Sequence, residues 1–292
     1  MSTKRSTLII IWLSSQLLYA QNRESIPHEF ITYAYPITGL TIDGDLNDWP
    51  EQSLSYPIKN KLWGVDPSST EDLSASFQAG YSLSENALYL ALTITDDNGT
   101  ESETPTWNNQ DNYTLYMNEQ YDIKGSGIVR YTLAENFRDA TNPSHHWDPM
   151  LAEYISWKKL DYQIKADEKG TTIELKYTLK EPISVGRVIG VGHMVVDQDD
   201  QENSVVGWVG RGGKSSYSQP GRIGSIVFAD DNLTKGTLSG KVVWNDTTIN
   251  LIPSYVSVKS AENSDRWFYL PVDKEGHFSA ILPTGDWVLL HW

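Results

Sequence analysis

The sequence contains no cysteine in 292 residues, and its 23 lysine and arginine residues are outnumbered by 38 aspartate and glutamate residues. The lack of cysteine excludes disulfides and a cysteine nucleophile, so the fold must be held by its core and, if one is bound, by a metal. The formal charge of −15 argues against nucleic acid, whose phosphates require a basic surface. A neutral or cationic partner fits this composition better.

Long apolar runs are also rare, and the clearest one lies at the N-terminus. Lys4 and Arg5 precede an apolar run over residues 8–18, and the small residue Ala20 follows it. A basic start, a short apolar stretch and a small residue are typical of a secretory signal. The run is too short to span a bilayer. We therefore predict a signal peptide over 1–20, a secreted protein (periplasmic or extracellular) and no membrane span.

The sequence does contain many stretches in which apolar and polar residues alternate. Over 87–95 and over 171–179, every second residue is a large apolar or aromatic one, and shorter stretches of this kind recur along the chain. A strand with one buried face has this period of two. No stretch of ten or more residues after the signal shows helical periodicity. These patterns predict an all-β chain that forms an antiparallel β-sandwich.

The character of the sequence changes near Asp230. Beyond it, the segment 236–292 contains five short strand-like stretches separated by turn residues. A segment of this length is sufficient for a small sandwich only. We therefore predict a large β-sandwich over 21–232, after the signal, and a small C-terminal β-sandwich over 236–292.

Several short motifs follow one another in the larger region. In chain order they are IDGDLNDW (42–49), LYLA (88–91) with TDD (95–97), WNNQD (107–111), IEL (173–175), VVD (195–197) and PGRIGSI (220–226). In this order they resemble family 9 carbohydrate-binding modules, over roughly residues 37–228. The resemblance implies a β-sandwich that binds glycans without cleaving them, often with structural calcium. It also implies a connection to a polysaccharide-degrading enzyme.

The resemblance suggests where a sugar binds, because known members hold it between two tryptophans. The matching positions here are Trp107 and, before the last strand, Trp208. An indole stacks on the apolar face of a sugar ring, while nearby polar groups bind its hydroxyls. The family often has an acidic residue where this chain has Tyr113, so the family's sugar preference is not carried over. Trp147 and Trp157 are alternatives at the rim, and the candidate hydroxyl-binding residues are Asn109, Asp111, Tyr113, Arg130 and Arg211.

Two acidic segments are candidate calcium sites. The first, TIDGDLNDWP, has the glycine, asparagine and aspartates of a tight turn, with Trp49 as a core or rim plug, although Asp43 could offer an oxygen to calcium. The second, DQDDQE, directly follows an apolar strand, and its carboxylates repel one another unless a cation or arginine lies between them. We predict a structural calcium ion, with Asp197 and Asp199 as better ligands than Asp43.

The C-terminal region resembles a different kind of module. The motifs GTLSGKVV (236–243), DKEGHF (273–278) and LPTGDW (282–287) are similar to transthyretin-like, carboxypeptidase-regulatory-like sandwiches. This resemblance implies a spacer or connector in an exported protein.

Motifs for catalysis do not stand out. The sequence has neither a G-x-S-x-G elbow nor an H-E-x-x-H pair, and the adjacent His145 and His146 are interpreted as exposed loop residues. We predict a secreted, non-catalytic carbohydrate-binding protein that targets or assists polysaccharide breakdown, with a glycan-degrading enzyme as partner. One alternative is a structural or adhesive spacer that binds no sugar. Another is a haem or redox sandwich with His193 and Met117 as an axial pair.

Overall fold

A computed structural model describes residues 30–51, 53–106, 109–121, 128–136, 138–141, 159–167, 170–199, 202–209, 223–243, 255–262 and 267–290. Within these residues the chain forms eighteen β-strands and one short 3-10 helix, Leu46–Asp48. The prediction of an all-β chain is therefore confirmed. No helix among the described residues is long and apolar enough to cross a membrane. The described residues form two compact units, and the boundary between them lies after Asp230.

The first unit contains thirteen of these strands. In chain order they are β1 (Ile31–Pro36), β2 (Tyr56–Pro57), β3 (Asn60–Gly64), β4 (Leu73–Ser82), β5 (Ala87–Asp96), β6 (Asn112–Asn118), β7 (Val129–Leu133), β8 (Arg138–Thr141), β9 (Leu160–Asp167), β10 (Gly170–Thr178), β11 (Val188–Asp199), β12 (Glu202–Gly207) and β13 (Gly224–Phe228).

The thirteen strands form two sheets that share β1. Sheet I has the order β8-β7-β6-β11-β13-β1, with β12 paired to β11 and β3 paired to β12. Sheet II has the order β1-β4-β5-β10-β9, with β2 paired to β4. Residues 31–34 of β1 pair with β13, and residues 35–36 pair with β4, in both cases in parallel. The described strands are thus antiparallel apart from β1, an exception that the sequence analysis does not predict.

The two sheets of the first unit pack face to face through aromatic side chains. Tyr131 of sheet I meets Tyr177 of sheet II edge to face, with ring centres 6.1 Å apart. Phe77 of sheet II lies against the imidazole of His193 in sheet I, at 4.0 Å between ring centres. Because these side chains occupy alternate positions of their strands, the buried face follows the period of two seen in the sequence.

The opening turn of the first unit is fixed by a buried carboxylate. Glu174 of β10 is fully buried and accepts hydrogen bonds from the backbone N–H groups of Asp43 and Gly44, at 2.9 and 2.8 Å. Its other oxygen accepts the indole N–H of Trp49 at 2.8 Å. Trp49 is buried against Ile37 and neighbouring apolar residues. The interpretation of this segment as a turn with a tryptophan plug is therefore confirmed.

The second unit is a small pair of sheets. Its strands are β14 (Lys235–Lys241), β15 (Tyr255–Ser260), β16 (Trp267–Pro271), β17 (His277–Pro283) and β18 (Trp287–Leu290). One sheet pairs β14 with β17, and the other has the order β16-β15-β18. These strands bury several apolar residues, among them Leu238, Val258, Phe268 and Phe278.

Candidate functional site

Five aspartates from both sheets of the first unit meet at one end of the sandwich, and we call them the acidic cluster. Asp72 precedes β4 and Asp96 ends β5, whereas Asp111 precedes β6 and Asp197 and Asp199 lie near the end of β11. Carboxylate oxygens of Asp72, Asp197 and Asp199 lie within 4.8 Å of one another, as do those of Asp96, Asp111 and Asp197. The cluster therefore joins strand ends that are far apart in the sequence.

The cluster is held mainly by backbone and amide donors. One oxygen of Asp111 accepts the backbone N–H of Gln198 at 2.7 Å, and the other accepts the backbone N–H of Thr100. Asn98 donates its backbone N–H to Asp96 at 2.9 Å and its side-chain amide to Asp199 at 3.1 Å. These neutral donors orient the carboxylates without cancelling their charge.

Asp197 is the most buried member of the cluster. Its side chain is 1% exposed, and its Oδ1 atom has no hydrogen-bond partner among the described residues. Within the described part of the chain, no lysine or arginine forms an ion pair with Asp96, Asp111 or Asp197. A buried carboxylate without a partner is costly, so these oxygens call for a proton or a cation.

The pKa values of the cluster reflect this burial. Loss of solvent and, to a smaller extent, the charges of the neighbouring carboxylates raise the pKa of Asp197 to about 8. Burial likewise raises the pKa of Asp111 to about 7, although its two backbone donors oppose the increase. The pKa of Asp96 is also raised, mainly by burial. The pKa of Asp72 is lowered instead, because Ser68 bonds to its carboxylate.

The donor set fits a hard divalent cation. Calcium takes six to eight oxygen ligands and prefers carboxylates. The clustered aspartates supply such oxygens in two groups of three that share Asp197, and the unpartnered Oδ1 of Asp197 points to an ion rather than to a protein donor. Asp72, Asp96, Asp111, Asp197 and Asp199 would hold calcium, whose chemistry here would be the neutralisation of charge between the two sheets.

A cavity of about 260 Å³ adjoins the cluster between the two sheets, and we call it the mouth cavity. Asp96 and Asp111 belong both to its lining and to the acidic cluster. Its apolar wall comes from both sheets and includes Ile94, Ile164, Ile173, Leu133 and Val195. Its polar wall includes Glu101, Gln110, Asn112, Glu135 and Asn136. An apolar wall beside converging polar groups with shifted pKa values is typical of a ligand site.

The structure contradicts the prediction that Trp208 is an exposed platform. Its side chain is 1% exposed and meets Phe77 edge to face at 4.8 Å between ring centres. The backbone N–H of Trp208 bonds to the carbonyl of His193, which extends the ladder between β11 and β12. A Cβ atom on Gly224 would lie 2.2 Å from the indole, so this glycine makes room for the ring. Trp208 is a core residue.

Tyr113 is also buried in the core, and there it contributes to the lining of the mouth cavity. It is 1% exposed, and its hydroxyl forms a 2.7 Å hydrogen bond with Nδ1 of His193. The imidazole is packed between Phe77 and Trp208, and burial lowers its pKa to about 3. The side chain of His193 is thus engaged in the core, which argues against its role as an axial haem ligand with Met117.

The remaining predicted sugar-binding residues are spread over several places. Asn109 is engaged in its own loop, accepting the backbone N–H of Thr106 and donating to Ser102 and Thr104. Arg130 lies opposite Tyr116 in the ladder between β6 and β7, on the face of sheet I that points away from Tyr131 and the core. Asp111 belongs to the acidic cluster. The other predicted positions, Trp107, Arg211, His145, His146, Trp147 and Trp157, lie outside the described residues.

The predicted calcium ligands separate into two groups. Asp197 and Asp199 belong to the acidic cluster, whereas Asp43 lies in the opening turn, where its side chain accepts the backbone N–H of Asp45 at 2.9 Å. The sequence analysis did not select Asp72 and Asp96 as ligands. A usable signal existed for Asp96, because it follows an alternating strand as Asp197 does. For Asp72, which precedes its strand, the sequence contains no comparable signal.

Comparison with known proteins identifies the first unit. A family described as "Carbohydrate family 9 binding domain-like" matches residues 42–231. The chain belongs to this family. The structure is similar to that of a family 9 carbohydrate-binding module from Caldicellulosiruptor kristjanssonii in complex with cellotriose, with a TM-score of 0.55 and 16% identity over 68% of this chain and 94% of that one. No curated protein matches the chain.

A second structure of a Caldicellulosiruptor kristjanssonii family 9 module, in complex with glucose, gives the same TM-score of 0.55 and 16% identity, over 68% of this chain and 96% of that one. At 16% identity, the similarity to these two structures shows a shared fold and nothing more. The match covers nearly the whole length of both modules. The family predicted from the motifs is therefore confirmed for the first unit.

Proposed function

We propose that this protein is a secreted, non-catalytic carbohydrate-binding protein that assists the breakdown of polysaccharides. The observation that carries the proposal is the family match over 42–231, together with the shared fold of modules solved with glucose and cellotriose. Trp107 contributes the stacking platform. The C-terminal unit acts as a transthyretin-like spacer, and a glycan-degrading enzyme is the partner.

A calcium ion in the acidic cluster is the second part of the proposal. The cluster draws carboxylates from the ends of β5 and β11, which belong to different sheets. A cation between them stabilises the sandwich in a chain without disulfides. The buried, unpartnered Oδ1 of Asp197 supports this role.

The proposed function is tested by titrating the chain without residues 1–20 with glucose and cellotriose in calcium buffer, and by screening it on a glycan array. We expect binding that Trp107→Ala weakens about tenfold or more, since a stacked aromatic ring contributes about 0.5–1.5 kcal/mol beyond burial. The matched control is Trp267→Ala in the second unit, which should bind like the parent. Binding to no glycan on the array would contradict the proposal.

A structural or adhesive spacer is the second candidate function. It is favoured by one observation, the burial of both Trp208 and Tyr113, because this removes two residues that the resemblance assigns to sugar binding. The same array separates the two functions, since a spacer binds none of the glycans while keeping its cooperative unfolding.

A further inference from the structure

Two aspartates belong both to the lining of the mouth cavity and to the acidic cluster. Asp96 and Asp111 line the cavity and also lie within 4.8 Å, oxygen to oxygen, of Asp197. Both oxygens of Asp111 accept backbone hydrogen bonds, so its carboxylate is held in one orientation. A cation bound by the cluster would therefore lie beside the cavity rather than in an isolated part of the core.

We propose that the mouth cavity binds one sugar unit of a glycan through a cation held by the acidic cluster, with sugar hydroxyls completing its coordination. This inference rests on the proposed function and specifies a binding mode for it. Calcium takes six to eight oxygen ligands, and hydroxyl oxygens are suitable ones. The cluster would supply the carboxylates, and the sugar would replace water at the side that faces the cavity.

The lining of the cavity fits a neutral polyol. Three isoleucines of sheet II, Ile94, Ile164 and Ile173, form an apolar wall for the C–H groups of a sugar ring. The polar side chains that line the rest of the cavity are amides as well as carboxylic acids. Gln110 is 1% exposed, and its side chain is oriented by bonds from the Ser102 backbone and to Asn136. Oriented amides of this kind select hydroxyl positions.

The size of the cavity limits what it can hold. Its volume of about 260 Å³ lies just below the range of roughly 300–1,000 Å³ that is usual for small-molecule sites. One sugar ring fits such a volume better than a chain of several rings. The cavity would thus hold a single sugar unit.

An organic ammonium group is the competing ligand for so acidic a cavity. No lysine or arginine is among the described residues that line it. The unpartnered Oδ1 of Asp197, however, is inaccessible to solvent, and a small ion reaches such an atom more readily than an ammonium group attached to carbon. A divalent ion also neutralises more of the clustered charge than a single ammonium does.

The first experiment measures binding with and without the cation. Glucose and cellotriose are titrated into the whole mature chain in calcium and in chelator, after circular dichroism has shown that both samples are folded. We expect calcium to raise the affinity about tenfold or more. Terbium luminescence lifetimes in H₂O and D₂O provide an independent readout, because they count water molecules on the ion. Adding glucose should lower that count.

The second experiment fills the cavity without changing the cluster. Ala134 lines the cavity and is partly buried, so Ala134→Leu should weaken glucose binding about tenfold while leaving terbium binding and the calcium-dependent rise in Tm intact. The matched control is Ala261→Leu, the same change at an exposed position of the second unit. It should leave all three measurements unchanged.

The outcomes separate this inference from the proposed function. Sugar binding that is equal in calcium and chelator, with an unchanged water count on terbium, overturns the inference but leaves the function standing. Loss of all glycan binding by the parent protein overturns both. Glucosamine that binds more tightly in chelator than in calcium would mean that the cavity takes an ammonium ligand, which also overturns the inference. If Ala134→Leu fails to fold, the terbium measurement on the parent protein decides.

Discussion

Two aspartate-rich parts of this chain look alike in the sequence, but the structure satisfies their carboxylates in different ways. In the opening turn, Asp48 accepts the backbone N–H of Thr41 at 2.7 Å, and Asp45 accepts that of Asn47 at 3.1 Å. Nζ of Lys165 also lies 3.5 Å from Oδ2 of Asp45. The turn therefore contains its own donors and needs no metal.

The acidic cluster differs from the opening turn because its carboxylate oxygens outnumber the hydrogen-bond donors that face them. Asp197 keeps an oxygen without a partner, and its neighbours Asp96 and Asp111 are carboxylates as well. A shortage of hydrogen-bond donors costs much free energy for a buried carboxylate, whereas the exposed aspartates of the turn can also accept hydrogen bonds from water. The comparison shows that the local density of aspartate does not identify a cation site. What identifies it is the balance of buried acceptors and donors after folding.

The largest effect should come from Glu174, which supplies the buried acceptors for the opening turn. Glu174→Ala leaves two backbone N–H groups and the indole N–H of Trp49 without an acceptor, and each such buried group costs about 1–3 kcal/mol. We expect a loss of about 3 kcal/mol or more in the free energy of unfolding, measured with urea. Calcium should not restore it. The exposed Glu181→Ala is the control, and a loss below about 1 kcal/mol would contradict the expectation.

The next effect should be a pH dependence confined to the acidic cluster. Without calcium, the folded pKa values of Asp111 and Asp197, about 7 and about 8, lie above the ordinary aspartate value of 3.8. The folded state then binds more protons than the unfolded chain, so the stability from these groups is present below about pH 4 and is lost as the pH rises towards 8.

The measurement is a series of urea titrations in chelator across this pH range. Saturating calcium should flatten the decline, because the ion favours the deprotonated carboxylates. Asp197→Asn should reduce the slope in chelator, whereas Asp43→Asn should not. A stability that rises with pH in chelator would show that the cluster is already satisfied within the chain.

A somewhat smaller effect is expected from calcium itself at fixed pH. A ligand at 100 times its Kd stabilises the folded state by about 2.7 kcal/mol, and we expect a corresponding rise in Tm at neutral pH. Asp197→Asn should abolish the rise while making the calcium-free protein more stable than the calcium-free parent, because asparagine, unlike a carboxylate, needs no proton or cation in order to be buried. Equal Tm values for the parent in calcium and in chelator would contradict the proposal that the cluster binds calcium.

The smallest effect should come from Asp43, the aspartate of the opening turn that was predicted as a weaker calcium ligand. Its side chain is exposed and accepts one backbone hydrogen bond from Asp45. Asp43→Ala should cost about 0.5 kcal/mol, as is usual for surface positions, and should leave the calcium-dependent rise in Tm unchanged. A variant that no longer responds to calcium would place the turn among the ligands and break the contrast between the two regions.

Strand positions were predicted closely from the sequence, because alternation is a local property. The run over 87–95 became β5 (Ala87–Asp96), and that over 171–179 became β10 (Gly170–Thr178). In the second unit, where the sequence predicts five short strands, the structure has five, β14 to β18. The family could also be recognised, since its motifs are short contiguous segments. The signal peptide and the C-terminal resemblance remain predictions.

The site depended on contacts that no local pattern contains. Trp208 lies within a few residues of Asn203 and Arg211 in the sequence, but its pairing with His193 turns the indole towards Phe77 in the other sheet. The WNNQD motif of the family resemblance assigned Asp111 to the sugar site, but only the pairing of β6 with β11 shows that it also lies beside Asp197. The sequence by itself determined which residues form strands and which face of each strand is apolar. Only the tertiary structure decided which carboxylates meet, because that depends on the pairing of strands such as β6 and β11, whose paired residues are 72 to 84 positions apart in the sequence, and the period of a single strand cannot encode that pairing.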